Sequence, residues 1–176
     1  MVDPVQSELQ VSLASSWYAI QTRYRAERKV AAMLQHQGVE TFLPLLEEVH
    51  GWSDRQKTVA VPLFPGYGFV RVGLSPKSRM EVLRTQGVIQ FVTFGGKTTP
   101  VPSTQIEHLQ TLLARKFTCA LHPFLKVGQR VRIRSGCLNG LEGILEQNME
   151  NNLVISIESI QRAVSIKIDG YELELI

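Results

Sequence analysis

Residues 62–72 read PLFPGYGFVRV, and the two prolines and two glycines in that run limit the backbone more than any other feature of the chain. Pro62 and Pro65 fix φ near ~−65° and supply no N–H donor, so no helix passes through the segment. A turn at Pro65 and Gly66 then leads into Tyr67, Gly68, Phe69, Val70, Arg71 and Val72, a run rich in strand formers. Alternation puts Tyr67, Phe69 and Arg71 on one face and Gly68, Val70 and Val72 on the other. With Phe64 close by, the first face is broad and aromatic. Large apolar strand residues are most often core, while aromatics framing a concave face are the usual anchors of an interface; the residues alone leave both readings open.

The rest of the first part of the chain alternates strands and helices. Residues 1–15 carry no period that could bury a face, which predicts a mobile arm. Residues 17–22 read as a strand. From Ala26 the period turns helical, with Ala26, Val30, Met33 and Leu34 on one stripe and Gly38 as the stop. Arg25, Arg28 and Lys29 fall opposite that stripe, and Arg23 extends the basic face at the strand end. Such a face is either solvated, with Glu27 partly neutralising it, or suited to a phosphate backbone.

Residues 39–49 and 58–61 then form two strands joined by a turn-rich tip. Glu47 and Glu48 are expected to face Arg55 and Lys57 across this ribbon, and Trp52 at the tip reads equally as a contact or as a cap. Ser75 and Pro76 occupy N-cap and N1 positions of a second helix, with Met80, Leu83 and Val82 inward. A strand over residues 88–94 closes at Gly95 and Gly96. Ser103 or Thr104, with Glu107 as capping-box partner, opens a third helix whose stripe is Ile106, Leu109, Leu112 and Leu113. This order predicts an α+β protein beginning with an α/β sandwich over residues 16–116, built on a mostly antiparallel sheet.

Residues 117–126 lack a period and contain Pro123, which marks a linker. Beyond it, over residues 127–176, short alternating runs of Val, Ile and Leu separated by Gly and Asn turns predict a small all-β barrel of five strands. The charge divides in the same place: residues 1–116 hold 13 Lys and Arg against 9 Asp and Glu, a net of +4, and residues 117–176 hold 6 against 7, a net of −1. A polyanion would therefore meet the first part of the chain.

Four segments recur together: SWYAIQTR at 16–23, the proline-rich strand at 62–72, GVIQFVTFGGKTTPVP at 87–102 and VGQRVRIRSGCLNGLEGIL at 127–145. In this order and spacing they resemble the N-terminal domain and terminal KOW motif of the NusG family of transcription elongation factors. The resemblance is nearest to the antiterminating RfaH-like and polysaccharide-operon branch, and it implies an SH3-like fold for the barrel. It further implies that Phe64, Pro65, Tyr67 and Phe69, with Ile106 and Leu109 as neighbours, form a hollow left open to grip the clamp helices of the RNA polymerase largest subunit. Arg23, Arg25, Arg28 and Lys29 would meet the non-template DNA strand. Gly136, Gly140 and Gly143 shape the KOW turn, and the barrel would recruit a small-subunit ribosomal protein or the termination factor Rho. Cys137, Leu138 and Leu141 stand where the family often places Pro and an aromatic, and Gly68 where it often places a longer apolar residue.

Nothing in the sequence points to catalysis. His36, His50, His108 and His122 are scattered, and no nucleophile elbow, phosphate-binding loop or metal-ligand spacing occurs. Cys119 and Cys137 lie in unrelated contexts, which argues against a disulfide framework. The expectation is a non-enzymatic, cofactor-free cytoplasmic monomer without a membrane span. An RNA-binding or ribosome-associated KOW module is the alternative, and it expects the barrel alone to bind RNA, against its net negative charge.

Overall fold

A computed structural model describes residues 15–52, 55–115, 119–122, 128–146, 152–168 and 171–176. Contacts divide the chain into two compact units. One comprises Met1–Pro44 and Phe64–Ser103, the other Leu45–Leu63 and Thr104–Ile176. The predicted N-terminal arm lies, apart from Ser15, outside the described residues.

The first unit is built on β1 (Ser16–Thr22), β2 (Glu40–Phe42), β5 (Tyr67–Val72) and β6 (Val88–Phe91), which form an antiparallel sheet in the order β2-β5-β1-β6. Helices α1 (Glu27–His36) and α2 (Pro76–Arg84) supply side chains to one core cluster with this sheet: Tyr18, Ile20, Val30, Leu34, Val70, Val72, Val82 and Phe91. Each such side chain contributes about 1.5–3 kcal/mol on burial. Ser75 caps α2 as expected, its Oγ accepting from the Ser78 N–H at 3.1 Å. Inside that helix the outcome differs from the sequence reading: Val82 is the buried residue and Met80 is exposed. A short ribbon, β7 (Thr93–Phe94) and β8 (Lys97–Thr98), closes over the predicted Gly95-Gly96 turn.

The second unit contains the ribbon β3 (Leu45–Trp52) and β4 (Arg55–Pro62), helix α3 (Ser103–Ala114) from Thr104 onward, and a six-stranded antiparallel sheet. In the ribbon, Glu47 stands opposite Ala60 and Glu48 opposite Val59, with Lys57 opposite His50 and Arg55 opposite Trp52; the side chains of Arg55 and Lys57 lie outside the described residues. The reading of the Trp52 side chain lies outside the described residues. Helix α3 opens at Ser103, which puts Ser103 and Thr104 inside its first turn rather than at the cap.

The sheet contains the five predicted strands, β10 (Gln129–Ile133), β11 (Glu142–Glu146), β12 (Asn152–Ile157), β13 (Arg162–Lys167) and β14 (Leu173–Leu175). It also contains a sixth. The segment read as linker forms β9 (Cys119–His122), antiparallel to β13, so the order is β14-β10-β11-β12-β13-β9. Val131, Ile133, Leu153, Ile155, Ile157, Val164, Ile166 and Ile168 are buried and make the core of this unit. No helix among the described residues is long and apolar enough to cross a membrane.

Candidate functional site

The proline-rich turn is tied down on three sides. The Tyr67 N–H donates to the Phe64 carbonyl at 3.1 Å, the Thr22 N–H to the Gly66 carbonyl at 2.8 Å, and the Gly66 N–H to Glu27 Oε1 at 2.8 Å. Gly66 lies at φ 82°, a left-handed conformation that a side chain would strain. The turn delivers Phe64 edge-on to Phe69, with ring centroids 6.4 Å apart, while Phe42 stacks on Phe69 at 6.1 Å. Ala19 pairs opposite Phe69 in β1.

The expectation of an open hollow is not met. Phe64 and Phe69 are 1% and 0% exposed, so both rings are closed off from water; Tyr67 is half-buried and Pro65 exposed. Ile106 and Leu109 are buried as well, on α3 in the second unit. Gly68 pairs with Ile20, and a Cβ there would meet the Ile20 side chain at an ordinary van der Waals distance of 3.8 Å.

Glu27 is the residue that sequence reasoning misplaced. Assigned to a solvated basic face, it is instead 4% exposed, and its carboxylate fixes the turn from the first helical position of α1. The signal was present in the spacing. Glu27, Val30, Ala31 and Leu34 are the buried residues of α1 and stand at i, i+3, i+4 and i+7, so Glu27 shares the apolar stripe. A carboxylate at that place is favoured by the helix N-terminus and by a charged hydrogen bond.

Arg23, Arg25, Arg28 and Lys29 are all exposed, as expected. Lys29 Nζ donates to Gln86 Oε1 at 3.2 Å, and the Arg23 N–H donates to the Gly87 carbonyl at 2.8 Å, so the basic face borders the loop after α2. The backbone between them is unusual, with Arg25 at φ 61°.

In the second unit, Gly136 and Gly140 adopt φ 68° and 87° around a single 3-10 turn over Gly136–Leu138. Gly143 is needed for close approach, since a Cβ there would stand 2.7 Å from the Val154 carbonyl oxygen. Leu138 and Leu141 point into the core, 1% and 2% exposed, while Cys137 is exposed with Sγ 3.2 Å from the Tyr171 hydroxyl. His108 on α3 is half-buried beside Glu142 and the Gly140 carbonyl. Burial pushes its pKa below the ordinary histidine value, an effect opposed by Glu142, Glu107 and the Gly140 carbonyl. Among the described residues no group of three or more His, Cys, Asp or Glu side chains is placed to hold a metal ion.

An antiparallel sheet carrying helices, followed by a small all-β region, defines an α+β protein with a tethered aromatic turn and an exposed basic helix face. Comparison with known proteins gives that class a family. The model of the family described as "Transcription termination factor nusG" matches residues 15–110. The transcription termination/antitermination protein NusG of Lactococcus lactis is 27% identical, over 93% of this chain and 95% of its own. The protein of that name from Staphylococcus aureus is 25% identical, over 92% and 96%. A solved structure described as "Domain interaction in Thermotoga maritima NusG" shares the fold with a TM-score of 0.52 and 22% identity, covering 94% of this chain and 99% of that one. The chain belongs to the NusG family of transcription termination/antitermination factors.

Proposed function

We propose that this protein is a cytoplasmic elongation and antitermination factor of the RfaH-like branch, which binds the clamp helices of RNA polymerase through Phe64, Pro65, Tyr67 and Phe69, with Ile106 and Leu109. Arg23, Arg25, Arg28 and Lys29 meet the non-template DNA strand. The KOW turn at Gly136, Gly140 and Gly143 belongs to a module that recruits a second partner, a small-subunit ribosomal protein or Rho. The observation that carries this reading is the family match over residues 15–110, which spans the aromatic turn, the basic helix and the start of α3. Its geometric support is the threefold hydrogen bonding of the turn, which holds the backbone that carries Tyr67 in place before any partner arrives. Because Phe64 and Phe69 are buried here, engagement through them requires the rings to be uncovered, whereas Pro65 and Tyr67 are reachable as they stand.

The two aromatic substitutions therefore part company. Tyr67→Ala is expected to abolish retention of purified core polymerase in a pull-down, and with it readthrough at a terminator, with little change in the unfolding midpoint. Phe69→Ala is expected to destabilise the chain by about 3–5 kcal/mol as a core truncation. Retention of polymerase by Tyr67→Ala at the wild-type level, or its absence from the wild-type protein, overturns the reading.

A further inference from the structure

Tyr24 has no part in the interfaces described so far, yet at 74% it is the most exposed large apolar side chain among the described residues. It contributes nothing to the core, and its setting is built. The turn that carries it is closed by the Arg23 N–H on the Gly87 carbonyl at 2.8 Å and by the Ala26 N–H on the Arg23 carbonyl at 3.0 Å. Between those bonds Arg25 is held at φ 61°, a region that side-chain-bearing residues rarely occupy and that tends to be retained at functional sites. The Arg25 guanidinium carbon lies 5.2 Å from the Tyr24 ring centroid, so a cation–π contact orients the ring.

The surroundings are cationic and rich in amides. Arg23, Arg25, Arg28 and Lys29 are exposed along the same segment, and Lys29 reaches Gln86 on the loop to which Arg23 is bonded. On the adjoining strands Gln90 Nε2 donates to Gln21 Oε1 at 3.2 Å. A phosphate backbone needs only the cations. An exposed, oriented ring among them matches a nucleotide whose base face is free, which a duplex does not offer because its bases are already stacked.

We propose that Tyr24 is a stacking platform for an unpaired base of single-stranded DNA, so that residues 23–29 take a nucleotide by its base as well as by its phosphate. The proposal rests on the nucleic-acid reading of the basic face given above. Arg25 is then a positioning residue for the ring as well as a cation. Stacking on an aromatic tolerates every base, so the contact sets strand state rather than sequence.

The test uses the full chain and fluorescence anisotropy with a labelled single strand of about 12 nucleotides, within the usual range of site sizes, and with its duplex. The single strand should bind more tightly than the duplex. Tyr24→Leu should weaken single-strand binding roughly 5- to 150-fold, the usual value of one base–aromatic contact, and Tyr24→Phe should retain it. Tyr24→Leu should leave the salt dependence unchanged, while Lys29→Ala should lower its slope by about 0.7, as expected for one lost phosphate contact. If Arg23→Ala and Lys29→Ala weaken binding but Tyr24→Leu does not, the stacking proposal falls and the basic face stands. If the wild-type chain binds neither form, or no substitution has an effect, the nucleic-acid reading falls and takes the proposal with it. Since Tyr24 is exposed, a folding defect is not expected, and far-UV circular dichroism of each variant checks this.

Discussion

At the scale of single residues, the clearest lesson is that a charge can hold an apolar surface in place. Glu27 puts a carboxylate on the buried stripe of α1 and uses it to accept the N–H of Gly66, a residue 39 positions along the chain. Glu27→Ala would leave that part-buried donor without its partner, and the loss of a hydrogen bond to a charged group costs about 1.5–3 kcal/mol. Urea unfolding should show this as a lower midpoint with an unchanged slope. Glu27→Gln keeps an acceptor oxygen and should lose less. A variant as stable as the wild type would show that the turn holds without the carboxylate. Phe69 and Tyr67 make the complementary point. Both sit on the aromatic face that the alternation predicts, but only Tyr67 keeps a reachable surface, and alternation cannot tell a covered face from an open one.

At the scale of elements, local chemistry fixed more than pairing did. The cap at Ser75, the turn at Gly95-Gly96 and the strand over Tyr67–Val72 were legible because each depends on residues within one turn or one strand. Strand β9 was not. A strand added at a sheet edge is joined by backbone hydrogen bonds, and these leave no alternation to read when the segment is only Cys119–His122 and Pro123 follows. The glycine turn of the second unit shows the reverse case, where close approach leaves its mark as glycine. Gly143→Ala would drive a Cβ to 2.7 Å from the Val154 carbonyl oxygen, with Leu153 Cγ at 2.9 Å, and neither backbone nor core can give way cheaply. The expected loss is about 1–3 kcal/mol, read from chemical unfolding. On the sheet's surface Arg132 contacts both Glu142 and Glu174, and Arg134 contacts Glu174. These pairs are partly exposed, so they are worth ~0–1 kcal/mol each and serve more to neutralise Arg132 and Arg134 than to stabilise the sheet.

At the scale of the whole molecule, the division into units departs from the one expected from the sequence. The ribbon β3–β4 and helix α3 group with the C-terminal sheet rather than with residues 16–116. One consequence depends on pH. His108 on α3 has a folded-state pKa below the ordinary 6.5, chiefly through burial, so it resists a proton that the unfolded chain accepts. Its contribution to stability is therefore complete above about pH 6.5 and is lost as pH falls through the folded value. Urea midpoints should decline as pH falls below about 6.5, and His108→Gln should flatten that decline; an unchanged decline would assign it to other groups. By itself the sequence determined the family, the strand behind the prolines, the basic helix face and the glycine turn of the second unit, because each rests on backbone restriction or spacing along a short stretch. Tertiary structure alone decided that Phe64 and Phe69 are shut away from water, that the Glu27 carboxylate meets the Gly66 N–H and that β9 joins a sheet. Burial and pairing depend on which distant segments arrive, and no local period records that.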